Sequence, residues 1–241
     1  KDTAVMVRGD AAWSFTVMFI QMWEWKSKQL NNYEKYKPDF QSFPAAEGYV
    51  MPYGDSPTDN ENVGELVYLD IINKAKKYVY ITTPYLVIDN EMITALGFAA
   101  KSGVDVKIVV PHIADKWYVN YAGWNYYKEL IKLGVQIYEY MPGFIHAKNF
   151  VSDDEIATVG SINLDYRSLY LHFECGTFLY KVPAISRIKS DFNDILGKCR
   201  RITLKDCQQR PLIKKIIGGL LRMIAPVSYT HLRAHETLAN L

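Results

Sequence analysis

The stretch YVYITTPYLVIDNEMITALGFAAKSGVDVKIVVP, residues 78–111, contains two apolar runs separated by a more polar segment. The first run, YVYITTPYL, and the last, VDVKIVVP, are rich in the β-branched and aromatic residues that favour strands. The segment between them, residues 89–102, predicts a helix that ends before Gly103, a residue type common just after helices. A strand, a helix and a second strand in this order predict an α/β fold.

The same alternation continues on both sides of this stretch. A helix is predicted over residues 62–77, and another over residues 117–133 leads through Gly134 to the strand VQIYEY. The runs FIHAKNFVS, EIATVG and LHFECGTFLY then predict three strands in succession, followed by a helix over residues 184–197. Helices that alternate with strands cover both faces of a sheet, and three successive strands indicate that the sheet is mixed.

The first 28 residues predict a strand, TAVMVRG, and then a helix with Asp10 as its N-cap. The polar segment that follows, residues 26–48, has tyrosines and prolines without periodicity, which is typical of a linker. The strand-turn-helix pattern that starts at Asp2 is repeated from Glu174. This repeat predicts that the first residues are the end of an earlier structural unit, and the start inside a strand, without a methionine, predicts a truncated chain.

Composition and charge exclude several classes of protein. The 28 Lys and Arg residues against 26 Asp and Glu residues give a net charge of +2, too small for a polybasic protein that coats nucleic acid. No apolar run reaches the roughly 18 residues that a transmembrane helix needs. The cysteines lie at no metal-ligand spacing, and a reducing compartment is expected.

The candidate chemistry lies in GFIHAKNFVSDDEIATVGSIN, residues 143–163. If FIHAKNFV is a strand, His146 and Lys148 point to one face and reach the same anion. An imidazole attacks as a neutral nucleophile or donates a proton as a cation, and the lysine adds a fixed positive charge. This combination suits a phosphodiester and requires no metal.

Three further polar residues accompany this pair. Asp153 lies in the turn beyond the predicted strand, so its expected role is to fix the lysine or the turn. Gly160 ends the next predicted strand, and Ser161 and Asn163 then present a hydroxyl and an amide to phosphate oxygens. Together these residues predict a hydrogen-bonding cradle for phosphate.

Two motifs in this segment carry a family resemblance. HAKNFVSD, from His146 to Asp153, has the pattern H-x-K-x4-D, and GSIN, from Gly160 to Asn163, matches the G-[ST]-x-N that follows it in the phospholipase D superfamily, which the chain resembles. The blocks ITTPYLVID, GVDVKIVVP, YYKELIKLGVQIYEYMPGFIHAK and DDEIATVGSINLDYRSL are similar to the C-terminal half of bacterial cardiolipin synthases. The resemblance covers residues 1–226 and implies a phospholipase D-like mixed β-sheet flanked by helices on both faces.

The resemblance also implies an activity. Members of this family are phosphatidyltransferases that join two phosphatidylglycerols into cardiolipin and release glycerol, with no metal or other cofactor. In the family mechanism one motif histidine attacks phosphorus to give a phosphohistidine, and the histidine of a second motif protonates the leaving alcohol. The full-length proteins belong to the bacterial cytoplasmic membrane.

The resemblance assigns roles to seven residues. It implies that His146, Lys148 and Asp153 are catalytic, and that Lys148, Ser161 and Asn163 bind the substrate phosphate. It further implies that Asp2 orients His146, and that Glu174 orients the histidine of the opposite motif.

This sequence departs from the family pattern because it contains a single H-x-K-x4-D motif. His112 lies in VVPHIADKW with no lysine two residues later, so it does not replace the other motif. The stretch therefore predicts half a site. We expect residues 1–44 to be a remnant of a first phospholipase D-like domain plus linker, residues 45–226 a second such domain, and residues 227–241 a foreign tail.

The expected partners follow from this reading. They are phosphatidylglycerol, a missing N-terminal half that carries the first motif, and an anionic membrane surface on which the basic amphipathic segment from Pro211 to Ile224 lies. Packing of that segment against the domain is the rival interpretation. The alternative functions are a single-motif phosphodiesterase or nuclease acting as a homodimer, and a catalytically silent fragment that binds phosphate or lipid; for the leading function no nucleic acid is expected.

Overall fold

The computed structural model describes residues 1–37, 47–58 and 61–224. The predicted foreign tail, residues 227–241, lies outside the described residues, and so does the centre of the predicted linker, residues 38–46. The predicted division into two domains and a tail therefore stays a prediction.

Helices and strands alternate along most of the chain. The helices are α1 (Asp10–Ser27), α2 (Val63–Lys74), α3 (Asn90–Lys101), α4 (Trp117–Leu133), α5 (Tyr166–Tyr170), α6 (Ala184–Leu196), α7 (Leu204–Gln209) and α8 (212–224), with a short 3-10 helix at Tyr33–Tyr36. The strands are β1 (Tyr49–Asp55), β2 (Tyr78–Thr82), β3 (Leu86–Val87), β4 (Asp105–Pro111), β5 (Gln136–Tyr140), β6 (Asn149–Ser152), β7 (Ile156–Gly160), β8 (Leu164–Asp165), β9 (Glu174–Tyr180) and β10 (Cys199–Ile202).

Eight of these strands form one sheet in the order β1-β9-β7-β6-β2-β4-β5-β10. The strands β2, β4 and β5 are parallel, and the remaining neighbours in the sheet pair antiparallel. The strands β3 and β8 form a separate parallel pair. The predicted mixed α/β sheet is therefore confirmed.

Strand β2 shows how the sheet is covered on both faces. Val79 and Ile81 are fully buried and belong to the core formed with α2, α3 and α4. Tyr78 and Tyr80 point to the opposite face, where they belong to the apolar clusters formed with α6. Because side chains alternate along a strand, a run that is apolar at every position is what a sheet covered on both faces requires.

The antiparallel pairing of β6, β7 and β9 brings the motif residues to one edge of the sheet. Asn149, the first residue of β6, pairs with Thr82 at the end of β2 and with Val159 near the end of β7. Gly160, the last residue of β7, pairs with Gly176 near the start of β9. We call this the His146 edge, since His146 precedes β6 here, and we call the opposite end of β6, beyond Ser152, the Asp153 edge.

The structure corrects three local predictions. TAVMVRG is not a strand, because among the described residues no neighbouring strand forms a ladder with residues 4–8. Strand β6 begins at Asn149 rather than at residue 144, since the backbone of Phe144 and His146 bonds with Lys1 instead. Asp10 is the first residue of α1, whose N-cap is Gly9.

Candidate active site

An open cavity of about 780 Å³ lies at the His146 edge. The motif residues His146, Lys148 and Ser161 line one part of its wall. Asp2 and Phe15 line another part, so the N-terminal segment and α1 help to build the site. The His146 edge therefore holds a space large enough for a ligand of the size of a lipid headgroup.

His146 and Asp2 form a pair at this cavity. The ring atom Nδ1 of His146 lies 3.3 Å from Oδ2 of Asp2. Burial opposes ionisation of Asp2, but hydrogen bonds from the Thr3 N–H and from His146 lower its pKa. A carboxylate only accepts hydrogen bonds, so the Nδ1 atom that faces Asp2 carries a proton, and a neutral imidazole in this tautomer has its lone pair on Nε2.

The backbone next to His146 is held by the first residue of the chain. The amide N–H of His146 donates to the carbonyl oxygen of Lys1 at 2.8 Å, and the amino group of Lys1 donates to the carbonyl of Phe144 at 2.8 Å. These two contacts place Asp2 opposite the imidazole. The geometry predicted for Asp2 is thus present, and its orienting role stays a prediction.

Lys148 is a buried cation behind His146. Its side chain is 7% exposed, and Nζ donates to the carbonyl oxygen of His146. Burial lowers the pKa of Lys148, while the carboxylates of Asp2, Glu174 and Asp165 act in the opposite direction. A cation held at a cavity wall among carboxylates provides a fixed positive charge for a phosphate oxygen.

Ser161 and Asn163 follow β7 at the same edge, in different surroundings. The hydroxyl of Ser161 donates to the carbonyl of Cys175 and accepts from its N–H at 3.0 Å, which ties the end of β7 to the start of β9. Asn163 donates from Nδ2 to Oγ of Ser168 at 2.9 Å, and its Oδ1 has no hydrogen-bond partner among the described residues. Only Ser161 lines the described cavity, so phosphate binding by Asn163 stays a prediction without direct geometric support.

A sequence profile of the family described as "Cardiolipin synthase, PLD-like domain" matches residues 68–196, which is more than half of the chain. The chain belongs to the phospholipase D-like cardiolipin synthase family. This membership confirms the resemblance found in the sequence motifs.

Two relatives match nearly the whole chain. An uncharacterized protein of Streptococcus mutans is 49% identical over 94% of the chain and 49% of its own length. A cardiolipin synthase of Alkalihalophilus pseudofirmus is 32% identical over 94% of the chain and 45% of its length. The chain thus spans about half the length of the curated relatives it matches.

A solved structure shares the fold. The phosphatidylserine synthase of Haemophilus influenzae matches with a TM-score of 0.59 at 17% identity, over 76% of this chain and 46% of that one. At this identity the match supports the phospholipase D-like sheet alone.

Asp153 completes the H-x-K-x4-D motif of this cardiolipin synthase family member. It lies at the opposite end of β6 from His146. Its carboxylate accepts hydrogen bonds from the backbone N–H groups of Lys76, Lys77 and Tyr78 at 2.7, 2.9 and 2.9 Å. Asp153 and Asp154 both have positive φ, at 54° and 62°, in the turn between β6 and β7. The contacts of Asp153 fix the turn and the start of β2, as one of its predicted roles requires, and a direct catalytic role gains no support from this position.

His172 lies beside Glu174 and was not predicted to belong to the site. Nδ1 of His172 is 3.6 Å from Oε1 of Glu174, and its Nε2 accepts from Nε of Arg167 at 2.6 Å. Glu174, predicted to orient the histidine of an opposite motif, therefore already has an imidazole from its own chain nearby. The available signal was the spacing, since His172 precedes Glu174 by two residues at the start of a predicted strand.

Helix α5 follows the Gly-Ser-Ile-Asn turn and is anchored between two buried carboxylates. The hydroxyl of Tyr170 contacts Oε1 of Glu65 at 2.9 Å and also bonds with Asp89. Burial, reinforced by Asp89, raises the pKa of Glu65 to about 8. The hydroxyl of Tyr170 has one proton and cannot donate it to both Glu65 and Asp89. A further proton is therefore shared among these three side chains at neutral pH.

Two further observations concern the described residues of this chain. Across the described ranges, no helix combines the length and apolar character needed to cross a membrane. Within those same ranges, no group of three or more His, Cys, Asp or Glu residues is arranged to hold a metal ion.

Proposed function

We propose that this chain supplies one half of a phosphatidyltransferase site that forms cardiolipin from two phosphatidylglycerols. The observation that carries the proposal is the His146–Asp2 pair at 3.3 Å, beside the buried cation of Lys148. With Nδ1 protonated toward Asp2, Nε2 of His146 has the free lone pair that attack on phosphorus requires.

The proposed reaction has two displacement steps. In the first, a motif histidine forms a bond to phosphorus through Nε2, the phosphorus–oxygen bond to glycerol breaks, and a second motif histidine gives its proton to that oxygen. In the second, the glycerol hydroxyl of another phosphatidylglycerol loses its proton to the second histidine, attacks phosphorus and releases the first histidine. His146 fills one of these two roles, and Lys148 and Ser161 stabilise the charge on the phosphoryl oxygens.

The second histidine belongs to a second H-x-K-x4-D motif, which this sequence does not contain. In the leading proposal another polypeptide segment with the first motif supplies it. In the alternative, two copies of the chain pair and each contributes His146, which gives a phosphodiesterase or nuclease. The single motif favours this alternative, whereas the similarity to cardiolipin synthases along 94% of the chain favours the transferase.

The deciding experiment follows labelled phosphatidylglycerol in detergent micelles. The samples are the chain alone, the chain mixed with the N-terminal half of a related cardiolipin synthase, and the same two samples with His146→Ala. We expect cardiolipin and glycerol only in the mixture with intact His146. Activity of the chain alone that is second order in protein would instead establish the homodimer, and no turnover in any sample would leave phosphate or lipid binding as the function.

Trapping tests the covalent step separately. Mixtures quenched in alkaline detergent, with lipid labelled in the phosphate, should contain protein-bound label that is stable in base and labile in acid, as a phosphohistidine is. Absence of such label during steady turnover would contradict the two-step reaction.

A further inference from the structure

A second cleft, far from the motif in sequence, lies between α4 and the helices α7 and α8. Its volume is about 210 Å³, and four of its lining residues are cationic: Lys128, Arg210, Lys214 and Lys215. None of the described lining residues carries a carboxylate. In a chain with a net charge of only +2, this is a local concentration of positive charge.

Aromatic rings and carbonyl oxygens orient three of these cations, Arg210, Lys214 and Lys215. The guanidinium of Arg210 lies 3.9 Å from the ring centre of Trp124 and donates to Oδ1 of Asn120 at 3.1 Å. Nζ of Lys214 lies 5.5 Å from the ring centre of Tyr121. These partners orient the positive charges without neutralising them.

Lys215 is oriented in the same way, because its Nζ donates to the backbone carbonyl of Gln208 at 2.7 Å. The nearby cation Arg222 differs, since it forms a salt bridge of 2.6 Å with Glu129. Among the described residues no carboxylate forms a salt bridge with the four cleft cations. The cleft therefore presents positive charge that no described carboxylate neutralises by a salt bridge.

Helix α8 carries an apolar stripe on the side away from this packing. Gly218 faces α4 so closely that a Cβ there would lie 2.3 Å from the carbonyl oxygen of Tyr121. At 100° per residue, the exposed apolar residues fall within an arc of about 120° on the opposite side. They are Leu212, Ile213, Ile216, Leu220, Met223 and Ile224, each more than half exposed.

We propose that this cleft binds the phosphate headgroup of an anionic phospholipid while the stripe of α8 inserts into the acyl boundary of the bilayer. An amphipathic helix of about 10 Å diameter that lies in the interface places its far side at the depth of the lipid phosphates. Lys214 and Lys215 lie on that far side, at the cleft. A free phosphate would satisfy the cations alone, whereas a lipid satisfies both the cations and the stripe.

The test is co-sedimentation of the full chain with vesicles of phosphatidylcholine, with and without phosphatidylglycerol. Lys128→Gln/Lys214→Gln should weaken partitioning to the phosphatidylglycerol vesicles about thirtyfold, since each cation near an anionic surface contributes about fivefold. The matched control, Lys35→Gln/Lys101→Gln, removes the same charge from exposed positions in the 3-10 helix and α3, and should stay within about threefold. Ile213→Ser/Ile216→Ser should weaken partitioning at least about tenfold.

Circular dichroism and thermal unfolding of each variant show whether it is folded. A competition with glycerol 3-phosphate separates the two sources of phosphate, since the free ester should displace the vesicles only weakly. The proposal is overturned if the parent chain does not bind the phosphatidylglycerol vesicles, or if the control pair loses as much affinity as the cleft pair. It is also overturned if the isoleucine pair has no effect while the free ester binds as tightly as the vesicles.

No turnover is measured in this assay. A negative result therefore leaves the chemistry proposed for His146 untouched, and failure of that chemistry leaves the lipid cleft untouched.

Discussion

The single H-x-K-x4-D motif extends past both ends of β6, and its residues have different surroundings at the two ends. At the His146 edge, His146 is exposed beside an open cavity and is paired with Asp2 from a distant part of the chain. At the Asp153 edge, Asp153 accepts three backbone N–H groups at the start of β2. His146 and Asp153 are seven positions apart in the sequence, which corresponds to about 23 Å in a fully extended chain.

This difference shows that one short motif reaches both the cavity proposed for the chemistry and a turn that fixes the sheet. Asp153 fixes the turn after β6 to the start of β2, and β6 pairs with β2 along its length. The position of His146 in front of β6 then follows from the register of these strands. An acidic residue remote from the ligand therefore helps to set the position of the reacting group.

The largest expected effect is that of His146→Ala on chemistry. We expect turnover of the mixture with the N-terminal half to fall by about 10⁴-fold or more, since either the nucleophile or the proton donor of the proposed reaction is removed. The free energy of unfolding should change by less than about 0.5 kcal/mol because the side chain is exposed. A large loss of stability, measured by urea unfolding, would remove the distinction between the two ends of β6.

Asp153→Ala should lower the free energy of unfolding strongly and affect the chemistry less, which is the opposite of His146→Ala. Loss of three hydrogen bonds to a carboxylate, together with the positive φ at this position, should cost about 2–4 kcal/mol of unfolding free energy. Asp153→Gly is the matched control, because glycine tolerates the positive φ and isolates the contribution of the carboxylate. If either variant stays fully stable and yet loses all labelling per folded molecule, Asp153 acts in the chemistry itself.

Asp2→Asn tests whether the His146–Asp2 pair orients the imidazole. The amide no longer secures the Nδ1 proton, so turnover should fall by roughly 10–100-fold, less than for a buried triad aspartate because Asp2 is largely exposed. KM should change little, and turnover should regain much of its value with Asp2→Glu. An unchanged turnover rate in the Asn variant would show that Asp2 has no orienting role.

The smallest expected effect concerns the pH dependence of stability. The folded-state pKa of Glu65 is raised to about 8 from 4.5, so its contribution is complete below about pH 4.5 and is lost as the pH rises through about 8. We expect the free energy of unfolding to fall by about 1–2 kcal/mol between about pH 6 and pH 8. Glu65→Gln should flatten this slope in urea titrations, and a slope unaffected by the substitution would assign it to other groups.

The fold was predictable from the sequence because its signals are local. The helix predicted over residues 117–133 coincides with α4, and most other predicted helices and strands differ only at their ends. The prediction of a strand at TAVMVRG was wrong because an alternating pattern shows only that a segment is able to form a strand. The hydrogen bonds must come from a neighbouring strand. Strand β6 is short for a similar reason, as Lys1 bonds to the backbone that the prediction assigned to a longer strand.

The site was predictable in part. The H-x-K-x4-D spacing identified His146 and Lys148, and the family resemblance identified Asp2 as a neighbour of His146. The position of Asp153 at the other edge follows from strand length, but its three backbone partners lie more than seventy residues earlier and leave no trace in local spacing. The contact between His172 and Glu174 was not predicted, because a single histidine outside any motif gives no signal in the local sequence.

The turn at Asp153 and Asp154 has a consequence for the order of folding. With Glu155 N–H bonded to the Ser152 carbonyl at 3.0 Å, it closes the β6–β7 hairpin over a few residues, and such hairpins form in microseconds. The pairing of β1 with β9 joins Tyr49 to Tyr180 and pays a far greater loop-closure entropy. We therefore expect φ-values near one in the hairpin and near zero in β1, so that β6 and β7 pair before β1 is added at the edge of the sheet.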